Sequence, residues 1–170
     1  MHILLKKWEI FTAQICPLGS EMKVIVENRK AYHDYEILDT YEAGIVLKGS
    51  EVKSIKQGRV SIKEAYAEIR NGEIYIVGMH VTPYEKDKIS HLDPVRPRKL
   101  LLHKYEIKRL IGKTQEKGLT LIPLKIYLKN NLIKVLLGLA RGKKKYEKRE
   151  EIKKRIHERE IRRALKKEIT

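Results

Sequence analysis

Beyond Met22 the chain is built from short runs in which apolar and polar residues alternate, the signature of strands with one buried face. Met22 and Lys23 lead into the strand-like run VIV. DYEILDTY and AGIVLK are two further β-rich runs, separated by Glu42 and Ala43 and stopped at Gly49. SEVKSIKQG then breaks the alternation. Ser50 is positioned as an N-cap, Val52 and Ile55 lie three apart, and Gly58 is a stop signal, so a short helix is predicted. AYAEIR and EIYIVGMHV flank Asn71-Gly72, the strongest two-residue hairpin signal. The stretch from Glu85 to Arg98, with two prolines and no periodicity, is expected to be a loop.

HKYEIKRLIGKTQEKG places Ile107, Leu110 and Ile111 at helical spacing and predicts a second helix ending at Gly118. LTLIPLKIYLK and LIKVLLGLA, joined by Asn130-Asn131, predict a long hairpin. Ile122, Leu124, Ile126 and Leu128 are expected on one face of its first strand, and Ile133, Val135, Leu137 and Leu139 on one face of its second. Pro123 has no N–H for a ladder and marks an edge or a bulge. About six strands and two helices without βαβ rhythm predict a mostly β fold with short helices. That means a small antiparallel barrel or sandwich, with an OB-like Greek-key barrel the leading candidate.

Charge changes the picture at the C-terminus. The chain has 170 residues and a formal net charge of +16. Such an excess favours polyanions, whether RNA, DNA or an anionic membrane face, against the plainer reading of a merely solvated lysine-rich surface. The excess concentrates after Gly142, where 13 Lys or Arg face 6 Asp or Glu. In that tail Ile152 and Ile156 share one side of a helix while Ile161, Leu165 and Ile169 lie roughly opposite. There is no single apolar stripe to dock on a barrel, although neither glycine nor proline interrupts the segment. The tail is therefore expected to be disordered when free and helical when laid along an anionic surface, the alternative being a permanently disordered solubilising tail. A membrane-surface helix would need aromatic or leucine anchors on one side.

Residues 1–21 hold the chain's single Trp (Trp8), Phe (Phe11) and Cys (Cys16). They are expected to be an extension outside the fold, with Met22 the natural start; the alternative is a short element packed on the body. With one cysteine no intrachain disulfide framework exists, and a reducing compartment follows. No apolar run is long enough for a membrane span, and the N-terminus lacks the features of a secretory leader. His33, His80, His91 and His103 fall in separate segments without metal-ligand or paired-carboxylate spacing, and no nucleophile-elbow or P-loop pattern occurs. No enzyme, metal or cofactor is expected. With Trp and Phe confined to the first 21 positions, stacking would fall to nine tyrosines, so structured RNA read by shape is favoured over single strands.

The blocks NRKAYHDY, EAGIVLKGSEVKSIKQG, GEIYIVGMHVTPYE, RKLLLHKYEIKRLIG and GLTLIPLKIYLKNNLIKVLLGLARGKKKYEKR, with the basic tail, together resemble the SmpB (SsrA-binding protein) family. They run from Val24 to about Lys167 in order and at matching spacing, which is far more specific than any block alone. The resemblance implies an OB-fold-like RNA-binding barrel over 22–142 and a basic tail over 143–170. It implies binding of the tRNA-like domain of tmRNA and its delivery, with the elongation factor carrying aminoacyl-tRNA, to ribosomes stalled without a stop codon. The tail would occupy the empty mRNA channel beside the small-subunit decoding region and fold there. A cytoplasmic protein with no membrane partner is implied. The rival is a general structured-RNA-binding or ribosome-associated barrel of the same fold.

By that resemblance, Asn28, Glu42, Leu101 and Lys134 match positions tied to tmRNA binding. Lys134, with nearby Arg98 and Lys99, suits phosphates, and Asn28 suits a base edge or a 2′-OH. Glu42 cannot bind phosphate and is expected to orient a basic side chain or accept from a base amine or ribose hydroxyl. Leu101 reads equally as an apolar contact or as core, and His33 as an RNA contact or a structural histidine. Gly142, Lys143, Lys144, Tyr146, Lys148 and Arg149 match the family's signature at the tail's root, with Gly142 allowing a turn and Tyr146 a stacking ring. Glu147 and Tyr146 are mild departures, standing where the family has Asp and His.

Overall fold

The computed structural model describes residues 22–84, 92–115 and 118–144, with residues 156, 157 and 159–161 in the tail. In chain order the elements are β1 (Met22–Glu27), α1 (Arg29–Asp34), β2 (Tyr35–Ile45), α2 (Gly49–Lys56), β3 (Val60–Ser61), β4 (Tyr66–Arg70), β5 (Glu73–Val77), β6 (His80–Val81), β7 (Arg98–Leu101), α3 (Lys104–Thr114), β8 (Leu119–Lys129) and β9 (Leu132–Gly142). The strands β8-β9-β2-β7-β5-β4 pair in sequence and close on β8 through Ala67 opposite Leu121, making an antiparallel OB-fold-like barrel. β1 lies on the remaining half of that β8 edge, from Lys125 to Lys129, and β3 and β6 form a separate ribbon.

The hairpin turns follow from their residues. Asn71 and Gly72 both have positive φ, at 51° and 74°, as do Asn130 and Asn131, at 50° and 63°. Two consecutive left-handed residues match the twist of the flanking strands, and asparagine, unlike most residues with a side chain, tolerates that region. The two runs divided at Glu42 and Ala43 are one continuous strand, β2, in which those residues pair with Leu136 and Val135.

Ile133, Val135, Leu137 and Leu139 of β9 all enter the main core, together with Ala43, Ile74, Ile76, Leu100, Leu121 and Ile126. Ile55 of α2 and Leu110 of α3 join the same core, each fully buried. The expected face of β8 is split. The register slips between Pro123 and Lys125, so Leu121 and Ile126 point inward while Ile122 and Leu124 turn outward. The cause is local: Pro123 cannot donate to the ladder, and a bulge absorbs the defect. Ile122 and Leu124 then need a second cover, which Ala31 of α1 provides with Ala140 of β9. Gly138 makes this possible, since a Cβ there would stand 2.8 Å from Leu124 Cδ1.

The helices also differ in detail from expectation. α1 was not foreseen. α2 is capped at Lys48 rather than Ser50, because the Glu51 carboxylate accepts from the Lys48 N–H at 2.7 Å and takes the hydroxyl's place. α3 ends at Thr114, well before Gly118, where the Thr114 hydroxyl donates to the Leu110 carbonyl at 2.8 Å. β7 begins on the last residue of the predicted loop.

Candidate nucleic-acid interface

On the outer surface of the barrel, the strand register aligns one residue from each of five strands. Leu101 of β7 pairs with Gly44 of β2, Gly44 with Lys134 of β9, Lys134 with Tyr127 of β8, and Tyr127 with Val24 of β1. Directly paired residues share a face, so these form one cross-strand row. Glu42 lies two residues before Gly44 and therefore on the same side.

Glu42 organises the row. Its carboxylate accepts from the Tyr127 hydroxyl at 2.7 Å and from Lys129 Nζ at 3.0 Å, while Lys134 Nζ stands 3.9 Å away. Burial alone would raise the Glu42 pKa, but the hydrogen bonds from Tyr127 and Lys129 outweigh it and hold the carboxylate below its usual range. Burial, and next the bond to Glu42, push the Tyr127 phenol far above its usual value, so it remains a proton donor. One carboxylate against two lysines leaves net positive charge on a fixed lattice. Glu42 thereby fixes the position of the Lys129 ammonium.

The row's other end is apolar. Leu101 is 52% exposed, which settles it as surface rather than core. An added Cβ on Gly44 would meet Leu101 Cβ at 3.3 Å, so the bare backbone there leaves a shallow step beside the leucine. Lys99 lies on the same side as Leu101 by strand alternation and pairs with Glu73. Lys125 pairs with Glu27 at 3.0 Å along β1.

Two expected contact residues prove internal. Arg98 is fully buried, because β7 turns residues 98 and 100 inward and 99 and 101 outward. Its guanidinium donates to Glu51 Oε1 at 2.9 Å and to the carbonyls of Met79, Arg96 and Pro94, which replaces the expected phosphate contact with a structural one. Asn28 is 2% exposed. Its Oδ1 accepts from the Ala31 N–H at 3.1 Å as the cap of α1, and its Nδ2 donates to the carbonyls of Ile62 and Pro123 at 2.9 and 3.3 Å. No edge of that amide is offered to a base. His33 is part-buried and lies 3.0 Å from the Asp34 carboxylate.

At the root of the tail, Gly142 ends β9 opposite Tyr35, and its φ is not positive. Lys143 fixes the chain's exit: its N–H donates to the Asp34 carbonyl at 3.0 Å and its Nζ to the Tyr32 carbonyl at 3.2 Å. Lys144 is described and exposed, whereas Tyr146, Lys148 and Arg149 lie outside the described residues. Tyr127, Lys129 and Gly44 were not singled out in the sequence. The signal was present in KIYLK, where Lys125, Tyr127 and Lys129 alternate against Ile126 and Leu128. Among the described residues no cluster of His, Cys, Asp and Glu is arranged to hold a metal, and no helix is long and apolar enough to cross a membrane.

Known proteins resemble this chain over the same span. The SsrA-binding protein of Carboxydothermus hydrogenoformans is 61% identical over 143 residues, covering 84% of this chain and 96% of that protein. Those of Halothermothrix orenii and Enterococcus faecalis are 56% and 54% identical, covering 85% and 86% of this chain and 94% and 95% of their own lengths. A chain from the solved structure described as "tmRNA-SmpB: a journey to the center of the bacterial ribosome" superimposes with a TM-score of 0.60 at 57% identity, covering 71% of this chain and 85% of that one. The family model described as SmpB protein matches residues 25–167. A match of that extent, together with relatives above half identity, means that the chain belongs to the SmpB family.

Proposed function

We propose that this chain binds the tRNA-like domain of tmRNA and delivers it, with the elongation factor that carries aminoacyl-tRNA, to stalled ribosomes in the cytoplasm for trans-translation. The observation that carries the reading is the Lys129–Glu42–Lys134 lattice on the outer barrel face of a chain 54–61% identical to SsrA-binding proteins. Lys129 and Lys134 take phosphates, and Leu101 with Gly44 receives a sugar or base surface. Glu42, itself held by the Tyr127 hydroxyl, holds the lysines. Asn28 and Arg98 lie beneath that surface as structural residues, and Lys99 stands at its rim. The segment Gly142, Lys143, Lys144, Tyr146, Lys148 and Arg149 leads the tail towards the decoding region. The chain contributes binding and positioning, with no catalytic step of its own. Residues 1–21 lie outside this domain, in keeping with a family match that opens at residue 25.

Lys134→Glu tests the reading. The variant should weaken binding to the tRNA-like RNA and reduce the log–log salt slope by about 0.7–0.9 per lost phosphate contact. RNA recovered with the native protein from cells should be strongly enriched in tmRNA. Unchanged affinity and slope in a folded Lys134→Glu protein, or recovery of RNA without preference, would leave only a general RNA-binding barrel.

A further inference from the structure

The Glu42 carboxylate is approached by more donors than it closes on. Its Oε2 accepts from the Tyr127 hydroxyl at 2.7 Å and from Lys129 Nζ at 3.0 Å, while its Oε1 has a longer contact to Lys129, at 3.3 Å. Lys134 Nζ approaches that same Oε1 but stops at 3.9 Å, beyond hydrogen-bond reach. Glu42 is the one acid paired with Lys134 among the described residues. The Lys134 ammonium therefore sits beside a carboxylate while its N–H donors stay open to another acceptor. The two lysines are equally accessible, with 27% and 28% of their side chains exposed, so access alone does not make them different. What separates them is how Glu42 is held.

Tyr127 holds it. Tyr127 and Lys129 lie two apart on β8 and so project to the same side. Tyr127 stands directly opposite Lys134 in the β8–β9 ladder and is 6% exposed. A buried ring has little freedom left, which makes its hydroxyl a fixed anchor, whereas the lysine on its flexible stem is a movable one.

We propose that Tyr127 is a positioning residue for RNA binding: its hydroxyl anchors the Glu42 carboxylate so that Lys134 is left unclosed and its ammonium is open to a phosphate of the tRNA-like RNA. The inference rests on the RNA-binding reading above and identifies what keeps its phosphate contact available. Closing the pair would bring Lys134 and Oε1 together by about 1 Å, to the roughly 2.7–2.9 Å of a charge-assisted bond. With the hydroxyl and Lys129 both on Oε2, the carboxylate can neither turn towards Lys134 nor present its full charge to it. Without the hydroxyl it regains an acceptor site and the freedom to turn, and Lys134 is the nearest cation not yet bonded to it. Lys129 then acts as the counter-ion of Glu42, and Lys134 as the contact to RNA.

Full-length Tyr127→Phe removes one hydroxyl and no charge. In its crystal structure Lys134 Nζ should lie within about 3 Å of the Glu42 carboxylate, against 3.9 Å in the parent. Titrated with the tRNA-like RNA well below its melting transition, it should lose about two- to fivefold in affinity, the range of an exposed ion pair competing for the ammonium. Its log–log salt slope should flatten by up to about 0.9, although no cation has been removed. Adding Glu42→Gln to Tyr127→Phe takes away the competing charge and should recover most of both losses. Lys134→Ala loses the phosphate contact outright, and on that background Tyr127→Phe should change neither affinity nor slope further. A loss that persists on the Lys134→Ala background, or that Glu42→Gln does not relieve, would make Tyr127 merely structural and overturn the proposal. Parental affinity and slope in Tyr127→Phe would overturn it too. If Lys134→Ala weakens binding in that experiment, only this inference falls; if Lys134→Ala is also silent, the RNA-binding reading falls with it.

Discussion

Glu51 concentrates more interactions than any other carboxylate described here. It is 4% exposed and accepts from Arg96 at 2.9 and 2.6 Å, from Arg98 at 2.9 Å and from the Lys48 N–H at 2.7 Å. One side chain thus caps α2 and anchors both arginines that lead into β7, whose outward residues are Lys99 and Leu101. Breaking a buried pair leaves an uncompensated charge, at a cost of about 3–5 kcal/mol. Glu51→Gln should therefore lower stability by that order in denaturant melts, with Arg98 the stranded group. The pH dependence has a definite sign. Burial raises the Glu51 pKa, but hydrogen bonds from Arg96 and Lys48 and the Arg98 charge bring it below the ordinary value of 4.5. A depressed folded pKa means that the carboxylate's stabilisation is complete above the unfolded value and is lost as pH falls through the folded one. Melting temperature should drop below about pH 4.5, and Glu51→Gln should show a shallower acid limb than the parent. Equal acid limbs would assign the loss to other carboxylates.

Elements meet at Asn28, where β1 ends, α1 begins and the β8 bulge turns Leu124 outward. Its backbone N–H donates to the Leu124 carbonyl at 2.8 Å, in addition to the three bonds of its side chain. Asn28→Ala should cost about 2–4 kcal/mol, a lost cap plus carbonyls left without donors. Asn28→Asp keeps the cap acceptor but loses both donations, so it should lie between the parent and Asn28→Ala in a denaturant melt. RNA affinity measured well below both transitions should stay within about twofold; a tenfold loss without destabilisation would make Asn28 a direct contact. Sequence reading reached the longer strands and both tight turns, because period-two alternation and Asn-Gly or Asn-Asn pairs act locally, but not β3 or β7, of two and four residues. It did not reach α1, six residues with only Ala31 buried, because so short a helix shows no periodicity. Nor did it reach the bulge's consequence, since a one-residue slip inverts every later side chain. The site was legible only as separate residues. That Lys134, Gly44 and Leu101 stand in one row depends on pairing between strands far apart in sequence, and whether Arg98 faces in or out depends on where β7 starts.

For the whole molecule, the barrel carries the proposed RNA face and β9 hands the chain directly to the tail. Lys143 sets the departure by bonding to the last carbonyls of α1, so the tail leaves from a fixed point. Its described residues, 156, 157 and 159–161, are helical, and Ile156 and Ile161 are 49% and 47% exposed, in keeping with a sequence that has no single apolar stripe. From residue 143 onward, 13 basic and 6 acidic side chains give a net charge of +7, which an RNA-walled channel attracts. A helix of about 20 residues reaches roughly 30 Å, enough to leave the barrel and enter such a channel. Truncation after Tyr146 should therefore abolish rescue of stalled ribosomes while leaving affinity for the tRNA-like RNA within about twofold, because Lys129, Lys134 and Leu101 remain. Charge and helix are separable. Lys154→Pro with Arg159→Pro removes two cations and also disfavours a helix by about 3 kcal/mol per proline. Lys154→Ala with Arg159→Ala removes the same charge and favours the helix. If the bound tail must be helical, the proline pair should fail in a reconstituted rescue assay while the alanine pair retains most of its activity. Equal activity of the two pairs would reduce the tail to an electrostatic tether and remove the induced helix from the mechanism.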